Sequence, residues 1–238
     1  MKTHILCLGD SNTHGYCADP KDNADHGIRF NEDERWTCRL QKALGDEYLV
    51  TEEGLSGRTT VFVDPIHESM DALSVIYSLL KSHEVIDLLI IMLGTNDTGM
   101  AVEDFISNYK QLVQAIQTSY PYTDIIVNTV PPVPSNHSNY PNMDQTRIDD
   151  FNMALLTMCE QLGVKFLNSA EALKDANGYG NVDYYQSGDI HLKPAGLKVL
   201  LKYLRTHAYE TEDRRPDTNN IPTRAEYTAN PSSAVEAP

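Results

Sequence analysis

The sequence predicts a single α/β domain, a three-layer α/β/α sandwich built on a five-stranded parallel sheet. Three observations carry this. Short apolar runs of strand length alternate with longer segments whose apolar residues recur at helical spacing. The runs are apolar almost throughout, as in strands buried on both faces. The chain of 238 residues, 41% of them hydrophobic, can bury one sizeable core. Such strands alternating with helices make a doubly wound sheet the natural architecture.

In chain order, "THILCL" (3–8) is the first strand, because aliphatic and β-branched residues form a block of strand length. "ERWTCRLQKAL" then spaces Trp36, Leu40 and Leu44 at i, i+4 and i+8, one apolar face of a helix. "EYLVTE" (47–52) is the second strand, and the helix "ALSVIYSLLKSH" leads to the third, "IDLLIIML" (86–93). The helix "VEDFISNYKQLVQAIQTS" precedes the fourth strand, "DIIVNTV" (124–130). The segment "PPVPSNHSNYPNMDQT" (131–146) is too rich in Pro and Asn for a regular element and has the length of a functional loop. "RIDDFNMALLTMCEQL" is a helix, "GVKFLN" (163–168) the fifth strand, and a last helix spans about Pro194 to Thr206 with Pro194 in its first turn. From about Tyr209 the composition turns to Pro, Asn, Thr and charge. The domain is therefore placed at 1–208, and 209–238 is an extended or disordered tail.

The formal net charge of −15 argues against nucleic-acid and anionic-membrane partners, which need clustered Lys and Arg. A small neutral or cationic ligand fits better. Cys7, Cys17, Cys38 and Cys159 show no metal or redox spacing and read as reduced thiols. His14, His26, His67, His83 and His137 are scattered without ligand spacing, so no metal is expected; no phosphate-loop or dinucleotide pattern follows a strand, so no cofactor is expected either. The apolar run in "MKTHILCLGD" is too short for a signal peptide and no window reaches a membrane span, which points to the cytoplasm. A homo-oligomer is left open.

In an open α/β sheet, ligands bind at the carboxyl ends of the strands. Four such places carry chemistry: Ser11 in "ILCLGDSNTHG", Gly54, Ser56 and Gly57 in "EEGLSGRTT", Asn96 in "LGTND", and His191 in "SGDIHLKPAG". Taken singly, each has a plainer reading as a cap, a turn glycine, a turn residue or a structural histidine. Their joint placement on one edge of one sheet is what those readings do not explain.

The blocks "GDSNTHG", "GLSGRTT", "GTND" and "DIHL" resemble, in order, the four signature blocks of the SGNH hydrolases, also called GDSL esterases and lipases. The likeness runs over roughly residues 3–205, and "RF" and "ERW" within 29–36 resemble the arylesterase branch. It implies the flavodoxin-like SGNH hydrolase fold and a carboxylic ester hydrolase. Ser11 would be the nucleophile and His191 its base, which suits a hydroxyl that is not nucleophilic at neutral pH. The implied oxyanion donors are the backbone N–H groups of Ser11 and Gly57 and the side-chain amide of Asn96. Asp10 is expected to hold the Ser11 loop as a structural acceptor.

One departure from the family stands out. The usual triad Asp lies three residues before the His, but that position is Gly188, and the nearest carboxylate is Asp189. Asp189 is the expected acceptor for His191, on the reasoning that residues two apart in a loop of extended character can share a side and that the short Asp side chain can curl to the ring; Asp183 in "NVDYY", and a backbone carbonyl or no acid at all, are the alternatives. The expected substrate is a small-molecule ester with a short, acetyl-type acyl group. Trp36, Tyr16 and the 131–146 loop are candidate walls. A carbohydrate O-acetyl esterase or acyltransferase on the same site, and a non-catalytic carbohydrate-binding protein, are the alternatives.

Overall fold

Residues 2–61, 70–83 and 85–208 are described in a computed structural model of the chain. The elements run β1 (Thr3–Gly9), α1 (Ser11–His14), α2 (Trp36–Leu44), β2 (Tyr48–Gly54), α3 (Ala72–Lys81), β3 (Leu88–Met92), α4 (Val102–Ser119), β4 (Asp124–Asn128), α5 (Gln145–Leu162), β5 (Lys165–Leu167), α6 (Ala170–Leu173) and α7 (Pro194–Ala208). The five strands form one parallel sheet in the order β2-β1-β3-β4-β5. The tail expected at 209–238 lies outside the described residues.

The continuous apolar runs are explained by burial on both faces. Along β1, Leu6 and Leu8 join a core with Ala72, Ile76, Phe105, Tyr109, Ile148 and Phe151, which are residues of α3, α4 and α5. Ile5 and Cys7, pointing the other way, join Trp36, Leu40, Leu197 and Leu200 of α2 and α7. Each fully buried aliphatic side chain contributes about 1.5–3 kcal/mol, so the two helix layers are held chiefly by these alternating residues. Phe105 stacks on Phe151 with ring centroids 4.0 Å apart, joining α4 to α5. Among the described residues no helix is long and apolar enough to cross a membrane.

Boundaries differ from the sequence reading where caps decide them. α5 begins at Gln145 because the Asp144 side chain accepts from the Thr146 backbone N–H at 2.8 Å. α1 and α6 have four residues each, too few to leave a period in the sequence. β5 keeps only three residues of the expected six. Cys7, Cys17, Cys38 and Cys159 are free thiols, and burial pushes the Cys7 thiol well up and Cys159 up to about 12, so neither supplies a thiolate nucleophile.

The strand register brings the site together. Gly9 at the end of β1 pairs with Gly54 of β2 and with Met92 of β3, so the three following loops leave one edge of the sheet side by side. Gly54 is required here by close packing: a Cβ at that position would lie 2.2 Å from the His14 backbone nitrogen, so only glycine lets α1 cross the end of β2.

Candidate active site

The Ser11 loop is held from both ends. Asp10 caps α1, its Oδ1 accepting from the Asn12 N–H at 2.9 Å, and Gly15 closes the turn in the left-handed region. Asp10 is thus the structural acceptor anticipated from the sequence. Burial pushes its carboxyl up, against the pull of the Asn12 N–H, Thr95, His191 and Arg58. The Asn12 side chain in turn accepts from the Leu192 N–H at 3.0 Å, which ties this loop to the one carrying His191.

That second loop is a tight reversal. Tyr185 and Leu192 form an antiparallel bridge, the Gln186 N–H donates to the His191 carbonyl at 3.0 Å, and the Asp189 N–H donates back to the Gln186 carbonyl at 3.1 Å. Within it, Asp189 Oδ1 lies 2.5 Å from His191 Nδ1 and accepts from the backbone N–H groups of Ile190 at 2.7 Å and His191 at 3.0 Å. The Asp189 carboxyl reaches the ring by curling over its own turn, the contact anticipated for its short side chain, in a tight reversal in place of the extended loop expected. Asp183 is exposed in the 3₁₀ turn Val182–Tyr184, away from this contact.

His191 Nε2 lies 2.8 Å from Ser11 Oγ, and the two residues are 7% and 4% exposed. Burial alone would push the Asp189 carboxyl up, but the His191 ring and the two N–H groups outweigh it and hold the carboxyl below its ordinary range. An ionised carboxylate only accepts, so the proton between the two belongs on Nδ1, and Nε2 presents its lone pair to the serine hydroxyl. Such a series can draw a proton from Ser11.

Gly57 and Asn96 lie at the ends of the two neighbouring strands. Gly57 has φ +83°, a conformation suited to glycine, and its loop is tied to β1 by the Leu55 N–H, which donates to the Gly9 carbonyl at 3.1 Å. Among the described residues, the N–H groups of Ser11 and Gly57 have no acceptor and are available to a ligand. The exposed Asn96 amide donates one hydrogen to the Arg58 carbonyl at 2.9 Å, leaving its second hydrogen uncommitted. The structure therefore places Ser11, Gly57, Asn96, Asp189 and His191 in adjoining loops of one sheet edge.

Of the candidate walls, Tyr16 stands 4.7 Å from the His191 ring, centroid to centroid, and Tyr140 of the 131–146 loop stands 5.8 Å from it. The Asn139 N–H also donates to the Gly188 carbonyl at 2.9 Å, fastening that loop to the His191 turn. Trp36 is not a wall. It is 1% exposed in the core under α7, as its i, i+4, i+8 spacing with Leu40 and Leu44 already required. A cavity of about 600 Å³ between α2 and α7, lined by Arg39, Lys198, Lys202 and Arg205 among others, is separate from these loops.

Two residues that the sequence reading passed over hold the neighbouring loops together. Arg58, 5% exposed, donates from its guanidinium to the Gly9 carbonyl at 3.2 Å and to the Glu53 carbonyl. Asp97, 1% exposed, accepts from the Thr60 N–H at 3.0 Å and from the Thr60 hydroxyl at 2.7 Å. The available signal was their position, each directly following a flagged residue or loop and carrying charge where the strand ends are buried.

Burial pushes the Asp97 carboxyl up to about 6, with the Thr60 donors pulling back and Asp10 adding to the rise. A raised carboxyl means that the folded chain holds the proton more tightly than the unfolded one. Stability from this group therefore falls as pH rises between about 4 and about 6, and the ionised form above that window costs about 2–3 kcal/mol. Asp97→Asn is expected to flatten this slope, raising denaturant stability relative to the parent at pH 8 and changing it little at pH 4. Urea titrations across that range check it; equal stability of both proteins at pH 8 would contradict the burial argument.

The model of the GDSL-like lipase/acylhydrolase family matches residues 7–199. The fold is shared with the native aryl esterase of M. smegmatis, at 28% identity and a TM-score of 0.71, over 87% of this chain and 99% of that one. A carbohydrate acetylesterase from Sinorhizobium meliloti is also similar, at 25% identity and a TM-score of 0.72, over 88% of this chain and 99% of that one. A search of curated protein sequences gave no match.

Proposed function

Since the chain belongs to the GDSL-like lipase/acylhydrolase family and is a carboxylic ester hydrolase, we propose that it cleaves short-chain, acetyl-type esters through an acyl-enzyme on Ser11. The observation that carries this reading is the unbroken series from Ser11 Oγ through His191 to Asp189, at 2.8 and 2.5 Å. His191 takes the Ser11 proton as the hydroxyl oxygen attacks the ester carbonyl. The tetrahedral oxyanion is met by the N–H groups of Ser11 and Gly57 and the Asn96 amide. Collapse expels the alcohol, which takes the proton from His191. Water, deprotonated by the same imidazole, then releases the acid and regenerates the serine. Asp189 keeps the ring in the required tautomer and offsets the charge that His191 gains.

The acyl preference is supported by Tyr16 and Tyr140, whose rings stand beside the imidazole at 4.7 and 5.8 Å. An acetylated sugar is the second reading, favoured by the likeness to the Sinorhizobium meliloti carbohydrate acetylesterase. Acetyl, butyryl and octanoyl 4-nitrophenyl esters, run beside acetylated xylose, separate these readings. The expected result is a kcat/KM that falls with acyl length, and faster turnover of the octanoyl ester would overturn it. Asn96→Ala is expected to lower kcat by about 10²–10³ with a smaller change in KM, the effect of deleting one oxyanion donor. An equal loss in binding and turnover would assign Asn96 to the turn alone.

A further inference from the structure

Neither of the proposed donors beside Ser11 is held by burial. Gly57 has no side chain to anchor, and Asn96 is exposed. Each is, however, followed directly by a buried charged residue, Arg58 and Asp97. The two loops are cross-linked in opposite senses: the Asn96 amide donates to the Arg58 carbonyl at 2.9 Å, and the Thr60 N–H and hydroxyl donate to the Asp97 carboxylate at 3.0 and 2.7 Å. Arg58 fastens the pair to the end of β1 through the Gly9 carbonyl at 3.2 Å, two residues ahead of Ser11.

We propose that Asp97, clamping Thr60, is a positioning residue that sets the Gly57 N–H and the Asn96 amide at the spacing the oxyanion needs. This rests on the assignment of those two groups as oxyanion donors. A carboxylate that accepts from both the amide and the hydroxyl of one threonine fixes that residue in two directions, which a packed apolar pair would not do. Its burial is unfavourable for an ionised group, so its contribution here is directional hold on the loop. Oxyanion donors act only within a few tenths of an ångström of their range, and a displacement of about 1 Å can cost about 10²-fold in turnover.

The test uses the full chain with 4-nitrophenyl acetate and compares Asp97→Ala, Asp97→Asn, Thr60→Val, Asn96→Ala and the double variant Asn96→Ala/Asp97→Ala. Asp97→Ala is expected to lower kcat by about 30- to 100-fold with KM within about threefold. Asp97→Asn, whose amide can accept from the Thr60 N–H and donate to its hydroxyl, is expected to restore kcat to within about threefold of the parent. Thr60→Val, which keeps the N–H and removes the hydroxyl, is expected to lose about five- to tenfold in kcat with the melting temperature retained. The double variant is expected to fall below Asn96→Ala by clearly less than the full Asp97→Ala factor, because part of that factor acts through Asn96 and only the remainder through Gly57. Folded Asp97→Ala with parental kcat, or losses that multiply in the double variant, would overturn the proposal. If Asp97→Ala does not fold, unchanged kcat in folded Thr60→Val overturns it. Full kcat in Asn96→Ala would instead overturn the donor assignment and this inference with it.

Discussion

Replacement of Ser11 by alanine is expected to lower kcat for 4-nitrophenyl acetate by about 10⁶-fold, because the lost oxygen is the atom that bonds the acyl group. Residual turnover would come from the oxyanion donors acting on water. The fold should survive, with stability changed by no more than about 1 kcal/mol, since the hydroxyl's bond is to His191 at a strand end and its Cβ packs unchanged. Two measurements check this: the burst of 4-nitrophenol at high enzyme concentration, and covalent labelling by a fluorophosphonate. Both should vanish in Ser11→Ala. A burst or label that persists would remove Ser11 from the mechanism.

Asp189→Asn is expected to lower kcat by about 10²–10⁴, with KM close to the parent value. All three hydrogen bonds at this side chain converge on Oδ1, so an asparagine can keep the turn and the ring in place while losing the negative charge. What is lost is the stabilisation of the imidazolium that forms when His191 takes the Ser11 proton. Asp183→Asn serves as the control, and as an exposed residue of another turn it should stay within about twofold of the parent. Parental activity in Asp189→Asn would reduce the device to a Ser11/His191 dyad. Loss in Asp183→Asn instead would reassign the acid.

Much of this device was legible in the sequence, for definite reasons. Burial on both faces forces an apolar residue at nearly every position of β1 and β3, and the end of such a run marks the sheet edge where a ligand can sit. That is how Ser11, Gly57 and Asn96 were singled out, whereas His191 stood out ahead of the last helix and the likeness to the SGNH hydrolases joined the four into one site. Trp36 was misassigned to the pocket although its own helical spacing with Leu40 and Leu44 pointed to the core. α1 escaped notice because four residues make one turn, and its existence depends on the Asp10 cap and on the missing Cβ at Gly54.

The sequence by itself determined the sheet, the order of its elements and the residue types brought to its edge, because these follow from local periodicity and from the chemistry of single side chains. Only the tertiary structure decided how those side chains meet. Asp189 reaches His191 through the curl of one turn, and Thr60 reaches Asp97 across 37 residues of chain. The second contact depends on the register of β2, β1 and β3 and on the closure of loops that carry no period, so no local pattern could have announced it, whereas the first was expected from a two-residue spacing and only its geometry waited on the fold.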